Sequence, residues 1–449
     1  MKKERYLSVT IDSLSRKKQN EKVSIKCWLR YKRFSKTIIF LNIRDGSNAE
    51  GIQVVCRETA TDNDFERNKK TLQGIKLFSA VEILGILQFQ EEKKSKEKIP
   101  EIKLKEIKII SNSENFHPIQ KQELSEKYLR TIPHFRPKTS FFTALFRIRS
   151  KLTFIIHQFF DKQGFIFLHS PIITTNDCEG GGETFTLEDK NKFFKKKVYL
   201  SVSGQLFAES FAQNFQKTYT FGPTFRRDPS LTSRHAAEFW MIEPEITFFN
   251  KDKLIVFIEK FVKETIRETL KKCQKELKTI GANVGFLKKI TNEKFIKISY
   301  KKAISIIESN FHETTLNENL NSSHEKFLCD YFQKPVFVTD YPAKIKPFYM
   351  KRDELQKTAT CVDLLVPQIG ELIGGSEREN NHQKLLENIK NFSEKEKNNL
   401  KWYLELRKYG YAPSAGFGLG FERLLMFITG VENIREVIPF PRTKGKIEF

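Results

Sequence analysis

The pattern of apolar and polar positions changes character about a third of the way along the chain. Residues 23–30 alternate as a strand does, residues 37–45 are rich in strand-forming types and end in Asp45-Gly46, and residues 51–56 continue in the same manner. A polar stretch near residues 64–73 has helical character. A mostly apolar strand over 77–87, a lysine-rich turn over 91–98 and a last strand over 101–110 follow. Five short strands with one helix between the third and the fourth predict a small OB-type β-barrel spanning residues 1–112. Residues 113–138 are polar and punctuated by Pro118, Pro133 and Pro137, which marks them as a linker or hinge.

From Phe141 the period becomes helical. Phe141, Leu145, Ile148, Leu152, Ile155 and Phe159 recur at alternating spacings of four and three, and Gly164 supplies a stop. A strand at 165–168 leads into Ser170-Pro171, after which strands and helices alternate to the end, with a mostly helical region around 251–289. Residues 139–449 are therefore expected to form a second domain, and the fold class expected is multi-domain α+β. A chain of 449 residues is too long for one ordinary core.

Composition adds a charge. There are 78 Lys+Arg against 55 Asp+Glu, a formal charge of +23, which favours a polyanionic partner such as nucleic acid. The abundance of Phe, Lys, Asn and Ile would also follow from an A+T-rich coding sequence, so only part of this excess speaks of function. The six cysteines are scattered, with no CxxC pair, so neither a disulfide framework nor a zinc site is expected. No apolar leader or membrane-length run is visible, and the expected location is the reduced cytoplasm.

Four stretches carry candidate chemistry. Tyr219-Thr-Phe-Gly-Pro-Thr-Phe-Arg226, a polar loop, and Arg234-His235 followed by Ala-Ala-Glu-Phe239 read as a β-hairpin with cations near its loop end. Gly416-Phe-Gly-Leu-Gly-Phe-Glu-Arg423 sets alternate glycines before an apolar helix. Asp363-Leu-Leu-Val-Pro-Gln-Ile-Gly-Glu371 continues to Arg378 and offers two carboxylates suited to a Mg²⁺–phosphate site. Glu179-Gly-Gly-Gly-Glu-Thr-Phe185 is a flexible acidic loop. Each has an ordinary reading taken singly: a surface hairpin, tight helix packing, a buried strand, a loop. The lysine-rich residues 190–197 read as a solvated loop or an RNA contact.

Together and in this order the stretches resemble the class II aminoacyl-tRNA synthetases, in their aspartate/asparagine/lysine branch. Phe-Arg226-Arg-Asp228, Arg234-His235 and Glu-Phe239 are similar to the family's motif 2, Gly-Leu-Gly-Phe-Glu-Arg423 to motif 3, and the amphipathic helix before Ser170-Pro171 to motif 1. The resemblance implies a six-stranded antiparallel sheet flanked by helices, ATP as substrate, a tRNA read by the N-terminal barrel, and a homodimer through the motif 1 helix and Pro171. It implies that Arg226 holds the α-phosphate and that Arg423 holds the γ-phosphate while stacking on adenine. Phe239 would cover the other adenine face, His235 would assist the phosphates, and Asp363 and Glu371 would hold Mg²⁺. One position departs from the family pattern: Asp228 stands where motif 2 usually has Glu.

Within the branch, asparagine and its tRNA(Asn) are expected rather than aspartate. Similar aspartate enzymes end the stretch Ser-Val-Ser-Gly-Gln205-Leu-Phe-Ala208-Glu209 in Lys-Gln, and here that lysine is replaced by Ala208. Glu209 would accept from an amide and repel a carboxylate, by roughly 4 kcal/mol at about 4 Å and an effective dielectric near ~20. Arg378 would donate to the side-chain oxygen and Glu179 would bind the α-amino group, with Gln205 as a further amino-acid contact. For the anticodon, Phe40 would stack on a base and Gln53 would hydrogen-bond one, with Arg30 and Arg33 as further contacts; a barrel-core role for Phe40 is the alternative. The rival readings are an aspartate-activating member of the branch and an RNA-binding relative without catalysis.

Overall fold

The computed structural model describes residues 6–59, 64–91, 98–114, 117–119, 124–175, 184–190, 193–230, 232–311 and 319–447. They pack as two compact units, residues 1–147 and 148–449.

In the first unit the strands Lys22–Phe34, Ile38–Arg44, Ile52–Arg57, Ala80–Glu91 and Lys98–Ser111 form a closed barrel. The first pairs antiparallel with both the second and the fourth, and the third runs parallel to the fifth, which closes the ring. Helix Asp64–Gly74 lies between the third and fourth strands, as the pattern predicts. Alternation sets the faces: Ile39, Leu41 and Ile43 point inward and are buried, while Phe40 and Asn42 lie on the opposite face. A short strand, Leu7–Ser8, and a 3-10 turn, Ile11–Arg16, flank the barrel. Both are too short to show a period, and the sequence pattern does not reveal them.

The second unit is built on an eight-stranded sheet. In spatial order its strands are Ile296–Ser299, Val336–Thr339, Cys361–Val366, Gly370–Glu377, Ser414–Gly420, Glu238–Thr247, Lys217–Phe225 and Ile166–Phe167. The six central strands are antiparallel throughout, and one parallel strand extends each edge. The expected six-stranded sheet is thus present as the centre of a wider one. Helix Ser140–Lys162 follows the predicted period, with Ile148, Leu152 and Ile155 buried. The chain leaves it at Gly164 with φ +77°, a conformation glycine adopts freely. The region around 251–289 holds helices Lys251–Lys272, Gln274–Thr279 and Val284–Asn292. Among the described residues no helix is long and apolar enough to cross a membrane.

Candidate active site

Four neighbouring strands bring the chemistry together. Glu238–Thr247 and Lys217–Phe225 form the predicted hairpin, Ser414–Gly420 lies against the former, and Gly370–Glu377 lies beyond it. Over them opens a cavity of about 570 Å³. Its wall includes Gln205, Arg226, Asp228, His235, Phe239, Asp363, Glu371 and Arg423, positions separated by as many as two hundred residues in the chain.

Main-chain oxygens help to aim the arginines. Arg226 lies with its guanidinium 5.5 Å from the Phe239 ring and donates to the Val202 carbonyl at 3.5 Å. Arg423, in the first turn of helix Phe421–Thr429, donates to the carbonyl of Glu371 at 2.8 Å. Carbonyl acceptors orient a guanidinium while leaving it available to an anion. Burial, with the nearby arginines, lowers the pKa of His235 despite the opposing pull of Asp228, so at neutral pH the ring offers a hydrogen bond and no charge. Its Nδ1 lies 2.5 Å from Thr232 Oγ1, and its Nε2 lies 3.5 Å from Asp228. Asp228, the shorter carboxylate at the departing position, also accepts the Ser230 N–H at 2.7 Å, so it organises its own loop.

The carboxylates converge as expected. A Cβ built on Gly374 would lie 2.9 Å from Glu371 Oε1 and 3.6 Å from Asp363 Oδ1, so both oxygens face the same small space. Two hard oxygen donors, with phosphate oxygens completing the shell, fit Mg²⁺. Asp363 contributes one oxygen only. Its Oδ2 is 2.7 Å from Lys346 Nζ, whose ammonium also sits 3.8 Å from the Tyr341 ring centre. Burial drives the Asp363 pKa up, and Lys346 opposes that rise. Among the described residues no cluster of three or more His, Cys, Asp or Glu gathers for a metal.

At the amino-acid end the expected residues lie at different depths. Gln205 opens helix Gln205–Phe215 and lines the cavity, and its Nε2 has no hydrogen-bond partner among the described residues. Glu209, four residues on, keeps the same helix face but lies one turn deeper, fully buried. There it accepts from Tyr403 at 2.8 Å, from Tyr411 at 2.5 Å and from Arg407. Arg378 is likewise buried and spent on Glu245, with a further bond to Ser376 at 2.7 Å. Neither Glu209 nor Arg378 is in the cavity wall. Each of these two charges, expected to face the substrate side chain, has an internal partner in this structure. Glu179 lies outside the described residues.

Sequence reasoning gave no role to Glu243, Glu245 or Lys346, and it noted Arg234 only as a cation near the hairpin's loop end. Glu243 lines the cavity and ties the start of helix Gln205–Phe215, accepting from Gly204 N–H at 2.8 Å and Thr220 Oγ1 at 2.9 Å. The signal was present: two carboxylates at alternate positions of an otherwise apolar strand share one buried face, a costly arrangement unless paired. One of the alternate glycines of Ser414–Gly420 answers to Glu245, since a Cβ on Gly416 would lie 2.2 Å from its Oε1.

In the first unit Phe40 is half-buried on the outer face and absent from the barrel core, and it lies opposite Arg33 across the strand pair. Gln53 donates to Glu101 at 2.6 Å, and Arg30 packs its guanidinium 4.2 Å from the Phe78 ring.

A family model described as tRNA synthetases class II (D, K and N) matches residues 125–444. The chain belongs to this family of class II synthetases. It is 43% identical to an asparagine–tRNA ligase of Malacoplasma penetrans, over 96% of this chain and 97% of that protein. It is 42% identical to an asparagine–tRNA ligase of Mycoplasma genitalium, over 98% and 100%. Its structure is similar to that of asparaginyl-tRNA synthetase from Pyrococcus horikoshii complexed with asparaginyl-adenylate, with a TM-score of 0.86 at 30% identity and full coverage of both chains.

Proposed function

We propose that this chain activates asparagine with ATP, forming asparaginyl-adenylate and pyrophosphate, and then transfers asparagine to the 3′-terminal adenosine of tRNA(Asn). The carrying observation is the cavity itself, where Arg226, Arg234 and Arg423 surround a space floored by Asp363 and Glu371. In the first step an oxygen of the amino acid's carboxylate attacks the α-phosphorus, and the bond to the β-phosphate breaks with its electron pair leaving on pyrophosphate. That carboxylate is ionised at neutral pH, so no general base is required. The difficulty is bringing an anion to a polyphosphate, and arginines fixed by carbonyl oxygens supply standing positive charge for it. Arg226 holds the α-phosphate, Arg423 and Phe239 enclose the adenine, and His235 donates to a phosphate. Mg²⁺ held by Asp363 and Glu371 would supply further charge to the polyphosphate. In the second step the 3′-hydroxyl of the tRNA attacks the adenylate carbonyl and AMP departs.

Preference for asparagine is supported by the buried network behind Gln205. Glu209, Glu243 and Glu245 against Arg378 and Arg407 make three carboxylates to two guanidinium groups, so no surplus cation invites a second substrate carboxylate. The barrel's outer face, with Phe40, Gln53, Arg30 and Arg33, is the surface for the anticodon. Two copies associate through helix Ser140–Lys162 and Pro171. Phe154 is 63% exposed and Ile172 and Ile173 are each 43% exposed, an apolar surface suited to a second copy. Five cysteines, Cys27, Cys56, Cys273, Cys329 and Cys361, are buried, in keeping with work in the cytoplasm.

Pyrophosphate exchange into ATP, measured with asparagine and aspartate side by side, tests the reading. Exchange with asparagine alone supports it. Comparable exchange with aspartate moves the activity to the aspartate-activating type.

A further inference from the structure

Glu371 is presented to the cavity at the start of strand Gly370–Glu377, just after the turn from strand Cys361–Val366. In its own hairpin it lies opposite Leu365, and two distant elements also reach its main chain. Glu325, on helix Ser322–Phe332, accepts the Glu371 N–H through Oε2 at 3.2 Å. Arg423 donates to the Glu371 carbonyl at 2.8 Å from the other side. The same Oε2 of Glu325 lies 3.7 Å from Arg234 Nη1, and that Nη1 donates to the carbonyl of Ile369. One carboxylate therefore joins the hairpin loop that carries Arg234 to the turn that carries Glu371.

The turn is shaped for this crossing. Gly370 has φ +80°, and a Cβ there would lie 2.3 Å from Glu325 Oε2 and 2.6 Å from Arg234 Nη1. Only glycine admits the pair so close to the backbone. Glu325 itself is not in the cavity wall, and its side chain is 14% exposed. A largely buried carboxylate with one guanidinium at 3.7 Å and one backbone donor contributes little to stability on its own. Stability is then a poor account of why it is there.

We propose that Glu325 is a positioning residue for the nucleotide: it locks Arg234 and Glu371 into one arrangement, so that the guanidinium and the metal-binding carboxylate meet the polyphosphate together. This rests on the ATP-site reading above. Among the described residues no hydrogen bond or ion pair joins Glu325 to helix Gln205–Phe215 or strand Glu238–Thr247, so the asparagine end should not sense its loss.

The test uses the full chain and the variants Glu325→Ala and Glu325→Gln. It measures KM for ATP and for asparagine in pyrophosphate exchange, and binding of Mg²⁺ with a non-hydrolysable ATP analogue by calorimetry. Glu325→Ala should weaken ATP, in both KM and direct binding, by roughly tenfold or more, the size of one charge-assisted hydrogen bond. The asparagine KM should stay within about twofold, since additivity holds for sites with no shared partner. Glu325→Gln keeps an acceptor for the Glu371 N–H and should recover part of the loss. Equal movement of both KM values, or movement of neither, overturns the proposal. Should Glu325→Ala not fold, an unchanged ATP affinity in Glu325→Gln overturns it alone. Were the parent chain silent in exchange with every amino acid, the functional reading would fail, and the calorimetric comparison would still decide the lock.

Discussion

The two ends of the cavity use arginine in opposite ways. At the nucleotide end, Arg423 donates to the Glu371 carbonyl, Arg226 to that of Val202 and Arg234 to that of Ile369. Main-chain oxygens aim these groups toward the cavity. At the amino-acid end, Arg378 is matched to Glu245 and Arg407 to Glu209, each pair fully desolvated. The first arrangement suits a polyanion that arrives and leaves. The second suits a neutral amide, because the buried guanidinium groups are already paired and leave no excess positive charge. Desolvated pairs are seldom stabilising in themselves, yet breaking one is severe. Charge at one end serves binding, and at the other it serves shape.

The sharpest way to break this contrast is Arg407→Met. It would strand Glu209 among Tyr403 and Tyr411 without a cation, at a cost of about 3–5 kcal/mol read from urea unfolding. Arg423→Ala comes next: pyrophosphate exchange should fall by about 10²–10³, the loss seen when one charge-stabilising donor is removed, with the urea midpoint nearly unmoved. If both variants lost stability alike, the two ends would not differ in kind. The smallest effect concerns Glu325, a carboxylate at the nucleotide end. Burial, then Glu371, pushes its pKa from 4.5 up to about 7. A raised acid favours the folded state in its protonated form. Relative to Glu325→Gln, the parent chain should therefore hold its stability below pH 4.5 and lose it progressively as pH rises through about 7. Urea midpoints of the two proteins across that range check the sign; parallel curves would mean that Glu325 ionises no differently from an exposed glutamate.

The barrel was legible because each strand buries one face, so Ile39, Leu41 and Ile43 announce themselves by alternation. The nucleotide end was legible because its residues stand in compact runs around Arg226, Asp363 and Arg423. What stayed hidden is depth and cross-chain pairing. The spacing from Gln205 to Glu209 gives a helix face, and it does not tell that the second residue lies a turn below the cavity. Lys346 is an ordinary member of a chain with 78 basic residues, and only the folded sheet singles it out. Glu325 lies some forty-six residues from Glu371 in the chain, and no local pattern links them.

The order of strands in the sheet carries one more consequence. Ser414–Gly420 is the last strand in chain order, yet it sits between Gly370–Glu377 and Glu238–Thr247, near the middle. Until it inserts, the two strands beside it face each other across an unfilled slot, each with an open hydrogen-bonding edge. Arg423, immediately beyond that strand, cannot reach the Glu371 carbonyl before then. The ability to hold nucleotide is thus a late event in assembly, and a nascent chain stalled before residue 414 would present sticky edges to its neighbours with no ligand to steady it.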